Sequence, residues 1–167
     1  VLRKILGDYG SQTDFESFLV KNNSSIRNDL ARLKGARLVS ASEVDVGRRL
    51  SEPLIKQITG GDPITARFLF KEYFEFTPMF KLFLVANHKP TILGNEHAIW
   101  RRIQVIPFEV TINEEDRDLN LLEGLTEELP GILNWAIQGC LEWQREGLNS
   151  PAEVVSAGRE YREDMDR

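Results

Sequence analysis

Apolar and polar positions alternate along this chain with two periods, and the places where the period changes mark its elements. Val1, Leu2, Ile5 and Leu6 have the spacing of one helix face, with no capping residue before them. A helix that starts uncapped is expected of a chain cut from a longer one. Ser24-Ser25 can cap a second helix that runs to about Lys34 and is ended by Gly35. Ala36–Ser42 then reads as a short strand ending at Glu43, and Ser51-Glu52-Pro53 as the start of a helix through Ile58. Gly60-Gly61-Asp62-Pro63 breaks that helix, and Ile64–Phe76 alternates around Lys71-Glu72 as a β-hairpin does.

The next run, Leu82–Ala86, reads as a buried strand that ends abruptly in Asn87, His88 and Lys89 before Pro90. A short helix around Glu96–Trp100 and a strand at Ile103–Phe108 follow. From Asp116 the period becomes helical. Pro130 starts the longest helix, to about Arg145, with Ile132, Leu133, Ala136, Ile137, Cys140 and Leu141 on one face. Ser150-Pro151 caps a last helix to about Met165. The expected architecture is α/β, with a core over residues 1–110 and a helical segment over 111–167.

Composition narrows the class. At 167 residues the chain can bury a substantial core, and 41% apolar with 28% charged residues is ordinary for a globular protein. No apolar run reaches the roughly 20 residues that span a bilayer. Cys140 is the single cysteine, which excludes an internal disulfide, and no zinc-like Cys/His spacing occurs. A cytoplasmic location without membrane contact is the default expectation. The net charge of −5 conceals an asymmetry. Residues 106–167 carry 5 Lys/Arg against 15 Asp/Glu, while residues 1–55 carry 9 against 7 and residues 56–105 carry 7 against 4. A polyanion responds to local field rather than net charge, so the first two thirds can face one.

Five features recur in order: Glu43 at a strand end, Lys-Gln-Ile-Thr-Gly-Gly-Asp at 56–62, Arg67, the strand ending in Asn87, and Trp100-Arg101-Arg102. In this arrangement the chain resembles the phage and plasmid primase-helicases, superfamily 3 helicases with an AAA+-like ATPase core. The resemblance covers nearly the whole chain. It implies a partial parallel sheet with an inserted β-hairpin and a helical carboxyl-terminal part. It also implies ATP and Mg²⁺ as cofactors, a homo-oligomeric (hexameric) ring, single-stranded DNA and a primase domain as partners, and a bacterial host cell.

Residue by residue, the resemblance makes Glu43 the Walker B acid beside Mg²⁺ and the lytic water. Ser42 stands where many nucleotidases carry a further acid. The alternative is a solvated Glu closing a strand. Asn87 becomes the sensor of the γ-phosphate, its alternative being a turn cap before Pro90. Arg101 or Arg102 becomes the arginine finger reaching a neighbouring subunit. Lys56, Arg67 and Lys71 become DNA contacts, with Lys71 near the hairpin tip. Tyr73, Phe74 and Phe76 are possible stacking faces, whereas the core is the expected place of Phe68, Phe70 and Phe74 individually.

The phosphate loop of this family, Gly-x-x-x-x-Gly-Lys followed by Ser or Thr, does not occur in the sequence. The chain is therefore expected to be a fragment of a replicative helicase ATPase that begins after that loop and is inactive alone. A catalytically silent ring-assembly or DNA-interaction module is the alternative. Strands next to the missing one are expected to keep an unpaired apolar edge.

Overall fold

The computed structural model describes every residue except 22–26, 43–46, 95 and 167. In chain order its elements are α1 (Leu2–Leu6), β1 (Gly10–Gln12), α2 (Asn28–Ala31), β2 (Leu38–Ser42), α3 (Glu52–Gly60), β3 (Ile64–Ala66), β4 (Phe74–Phe76) and β5 (Lys81–Val85). Four helices follow: α4 (His97–Trp100), α5 (Leu121–Glu127), α6 (Leu129–Glu146) and α7 (Ala152–Met165).

The mixed α/β expectation is met. β1, β2 and β5 form a parallel sheet in the order β1-β2-β5, and β3 and β4 form a separate antiparallel pair. β2 is central, with Leu38, Val39 and Ala41 buried, because a strand covered on both faces needs apolar residues on both. β5 differs from the expected buried strand. Leu82 and Leu84 lean on the core, whereas Phe83 and Val85 are 41% and 61% exposed. Among the described residues β5 ladders with β2 alone, so one edge is unpaired and one face uncovered.

α3 forms as its sequence dictates. Ser51 precedes it, Pro53 sits in the first turn, and Leu54, Ile55 and Ile58 share the buried face. Gly61 ends it at φ 85°, a left-handed conformation that glycine adopts without steric cost. The hairpin also forms, with Ile64 opposite Phe76 and Ala66 opposite Phe74. Ile64, Ala66 and Phe76 at its base join the core built around Phe18, Leu30, Leu33, Val39, Ile58, Ile92 and Ile99.

Three expectations are corrected. Ile103–Phe108 alternates half-buried and exposed residues with a period of two, with Ile103 and Val105 packed on the core, but it forms no strand. A strand is defined by a ladder partner, and this segment has none among the described residues. Ser150 does not cap α7: Pro151 occupies the cap position, and the Ser150 hydroxyl hydrogen-bonds Gln104 Oε1 at 3.1 Å. The second helix is shorter than expected, Asn28–Ala31, and its proposed cap Ser24-Ser25 lies outside the described residues.

α5 and α6 contribute no buried residue, and Tyr161 is the one buried residue of α7. The apolar stripe expected on α6 therefore lies largely exposed, with Leu133, Ile137 and Leu141 open and Ile132 and Ala136 half-buried. No helix among the described residues is long and apolar enough to cross a membrane.

Candidate functional site

In a parallel sheet all carboxyl ends open on one side, and loops there form ligand sites. The β2–β5 register runs from Leu38 opposite Lys81 to Ser42 opposite Val85, so the two strands end level. Asn87 follows β5 after one residue and is exposed. Glu43 follows Ser42 directly in sequence but lies outside the described residues. Thr13, just past β1, donates its backbone N–H to the Ser40 carbonyl at 3.0 Å, and its hydroxyl contacts that of Ser17 at 3.3 Å.

The loop after Asn87 is braced by its own backbone. Residues 48–51 run beside it: the Thr91 N–H donates to the Arg48 carbonyl, and the Leu50 N–H donates to the Thr91 carbonyl, both at 2.9 Å. Glu52 Oε1, in the first turn of α3, accepts the N–H groups of Leu93 at 3.1 Å and Gly94 at 2.9 Å. Trp100 Nε1 of α4 donates to the Gly94 carbonyl at 3.0 Å. From α7, the Tyr161 hydroxyl donates to the Pro90 carbonyl, and Met165 Sδ accepts the Ile92 N–H at 3.5 Å. The Tyr161 ring meets Trp100 edge-on with centroids 5.2 Å apart and carries the Lys89 ammonium 5.4 Å from its centroid.

Glu52, Gly94 and Tyr161 escaped the sequence reading. Ser51-Glu52-Pro53 announced a helix start but not its distant partner. Gly94 gave a signal, a lone glycine in a loop, whose reason is now visible. A Cβ there would sit 2.1 Å from Glu52 Oε2. Nothing local marks Tyr161, whose partners are about seventy residues away in sequence.

The two finger candidates are placed differently. Arg101 is exposed after α4. Arg102 turns inward: its Nη1 donates to the Ala98 carbonyl at 2.5 Å, and its Nε is buried without a hydrogen-bond partner among the described residues. Its Nη2 also lies 3.8 Å from where a Cβ on Gly60 would be. Lys56, on α3, is ion-paired with Glu96 at the start of α4. That hydrogen bond, with the Lys56 charge, holds the Glu96 carboxyl below its ordinary range.

The remaining cations belong to the hairpin. Arg67 places its guanidinium 4.6 Å from the Tyr73 ring centroid, which ties the two arms together, and Lys71 is exposed in the connecting loop. Phe74 stacks on Phe68 with centroids 5.7 Å apart and lies 6.0 Å from Phe76. The expectation of a core position fails for Phe70, which is 95% exposed. Phe68 is also exposed, and Phe74 is half-buried against the core. Thus Lys56 and Arg102 lie at the contact between α3 and α4, Asn87 precedes the braced loop, and Arg67 and Lys71 belong to the hairpin. A shallow cavity of about 550 Å³, lined by Glu127, Glu128, Pro130, Gly131, Ile132 and Trp135, includes none of them. Among the described residues no three His, Cys, Asp or Glu side chains converge as metal ligands would.

No protein-family pattern matches the chain. It is 31% identical over 185 aligned positions to the protein named "Putative helicase L207/L206" of Acanthamoeba polyphaga mimivirus, covering 99% of this chain and 19% of that protein. It is 28% identical over 189 positions to "Putative helicase 022R" of Frog virus 3 (isolate Goorha), again covering 99% of this chain and 19% of the relative. A shorter alignment, 34% identical over 94 residues and 54% of this chain, joins it to "Putative helicase 184R" of Invertebrate iridescent virus 6. The chain spans about a fifth of the length of the first two relatives. These relatives come from large DNA viruses rather than from a phage or plasmid. Over almost its whole length, the chain is thus related to helicase-named proteins of large DNA viruses.

Proposed function

We propose that this chain is part of an ATP-driven helicase motor of the superfamily 3 kind, which moves along single-stranded DNA. The observation that supports this most is the level ending of β2 and β5. Asn87 lies just past this edge, and Glu43 is the next residue in sequence after β2. That is where an AAA+-like sheet handles the γ-phosphate, Mg²⁺ and the lytic water. Asn87 would sense the phosphate, and the bracing of its loop by α3, α4 and α7 suits a group that must report small displacements. Of the two arginines, Arg101 suits a finger directed at a neighbouring subunit of a ring, because it is exposed while Arg102 is occupied internally. The hairpin, with Arg67 and Lys71, is the DNA-contacting element, and ion-paired Lys56 has the smaller part in it.

ATP binding and turnover belong to a longer protein that adds a phosphate loop, since no such motif occurs in these residues. Lack of that loop also supports the second reading, a silent assembly or DNA-interaction module. Fluorescence anisotropy on the 167-residue chain tests the shared part. A labelled oligo(dT) should bind at low salt and weaken as salt rises, and ATP should show no micromolar affinity. Failure to bind the oligonucleotide overturns the nucleic-acid reading. Micromolar ATP affinity overturns the assignment of the nucleotide cradle to residues outside the chain. In a longer protein with the loop, Asn87→Ala should abolish DNA-stimulated hydrolysis while nucleotide still binds; hydrolysis that survives the change favours the silent module.

A further inference from the structure

The loop joining β3 to β4 closes as a tight turn: the Lys71 N–H donates to the Phe68 carbonyl at 3.0 Å. Phe70 therefore stands third in a four-residue turn, at φ 60°. Such a turn favours glycine or asparagine at that place, because an L side chain meets its own backbone there. A phenylalanine at this position, 95% exposed, gains nothing from burial that would offset the steric cost. Beneath it the hairpin is stiff, since Phe68, Phe74 and Phe76 stack down towards the core and Arg67 lies over Tyr73. Lys71 follows the exposed ring directly in sequence and is exposed as well.

We propose that Phe70 is a stacking platform for an unpaired nucleobase, so that the hairpin tip holds single-stranded nucleic acid by its bases as well as its phosphates. An aromatic face beside a cation is the arrangement that sequence-tolerant single-strand binders use, since every base has a π-face. A duplex offers no free base face to such a tip. The proposal rests on the reading of the hairpin as the nucleic-acid element and assigns the apex a role distinct from that of Lys71. Lys71 supplies the salt-dependent part of affinity, and Phe70 supplies a part that salt leaves unchanged.

The test compares a labelled oligo(dT) with an abasic oligomer of equal length, by anisotropy at several salt concentrations. Phe70→Ala should weaken oligo(dT) binding about tenfold without changing the salt slope, and Phe70→Trp should restore it. Lys71→Ala should lower the slope by about one. The wild type should bind the abasic strand about tenfold more weakly than oligo(dT), and Phe70→Ala should bind both alike. Equal binding of the two strands by the wild type, or an unchanged Phe70→Ala variant, overturns the stacking role while leaving the hairpin as a phosphate contact. No binding to either strand by the wild type overturns the nucleic-acid reading and the stacking role together. Circular dichroism of each variant confirms that the fold is kept.

Discussion

Phe70→Asn should make the protein more stable and at the same time worse at its proposed task. A non-glycine residue in the left-handed region costs roughly 1–2 kcal/mol, and asparagine lowers that cost by local hydrogen bonding. Phe70 has φ 60° and is 95% exposed, so its removal uncovers no core and leaves no cavity. The expected net gain is about 1 kcal/mol, a rise of about 2–4 °C in Tm for a chain of this size. Phe70→Gly relieves the same strain but adds freedom to the unfolded chain worth about 0.5–1 kcal/mol, so it should fall between wild type and Phe70→Asn. Urea titrations followed by far-UV circular dichroism give the midpoints, and an unchanged m value shows that the gain lies in stability. In parallel, oligonucleotide binding should fall about tenfold for both variants. A midpoint for Phe70→Asn below that of wild type would refute the reasoning, because it would mean that the ring packs against something and is not held out at a cost.

Three further outcomes concern the braced loop and the core. Tyr161→Phe should cost about 1–2 kcal/mol by leaving the Pro90 carbonyl without its donor, and Tyr161→Ala about 3–5 kcal/mol by emptying a site that is 3% exposed. Hydrogen exchange at Ile92, Leu93 and Gly94 should quicken in both, and unaltered protection would separate α7 from the loop. Gly94→Ala should cost about 2 kcal/mol, since a Cβ 2.1 Å from Glu52 Oε2 displaces a carboxylate that accepts two backbone N–H groups. In a Glu52→Ala background the same change should cost much less, and strict additivity in the double-mutant cycle would contradict the contact. At Asp29, burial pushes the carboxyl up, but the Lys21 hydrogen bond and the charges of Arg27 and Lys21 outweigh it and hold it below its ordinary 3.8. Because the folded value is depressed, the stabilisation is present above the ordinary value and is lost as pH falls through the folded one. Thermal melts from about pH 5 to pH 2 should therefore decline less steeply for Asp29→Asn than for wild type.

What could be read from the sequence was what neighbours in sequence decide. The strand read at Ala36–Ser42, the Ser51-Glu52-Pro53 start of α3, the Gly61 stop and the hairpin all carry local signals, and all formed, the strand as Leu38–Ser42. β1 carries none: Gly10-Ser11-Gln12 has poor strand propensity and is a strand because it lies against β2. Ile103–Phe108 errs in the other direction, with the right alternation and no ladder partner among the described residues. Within the candidate site, the order of Asn87, Arg101 and Arg102 was legible, but the inward turn of Arg102 depends on Ala98 and the end of α3. Phe70 was misread because an aromatic in an alternating run is ordinarily a core residue, and only the turn geometry shows it outside.

The contacts that brace the Asn87 loop fall almost wholly on main-chain atoms: the Pro90 and Gly94 carbonyls and the N–H groups of Thr91, Ile92, Leu93 and Gly94. Side-chain identity is thus released from the task of holding the loop, except at buried Ile92 and at Gly94. His88 and Leu93 are free to drift or to be redesigned for new contacts while Asn87 keeps its position, whereas Lys89 is tied to the Tyr161 ring. The mutational burden moves instead onto Glu52, Trp100 and Tyr161. Changes that loosen this loop from a distance should therefore cluster at three sites scattered across a hundred residues, not in the loop itself.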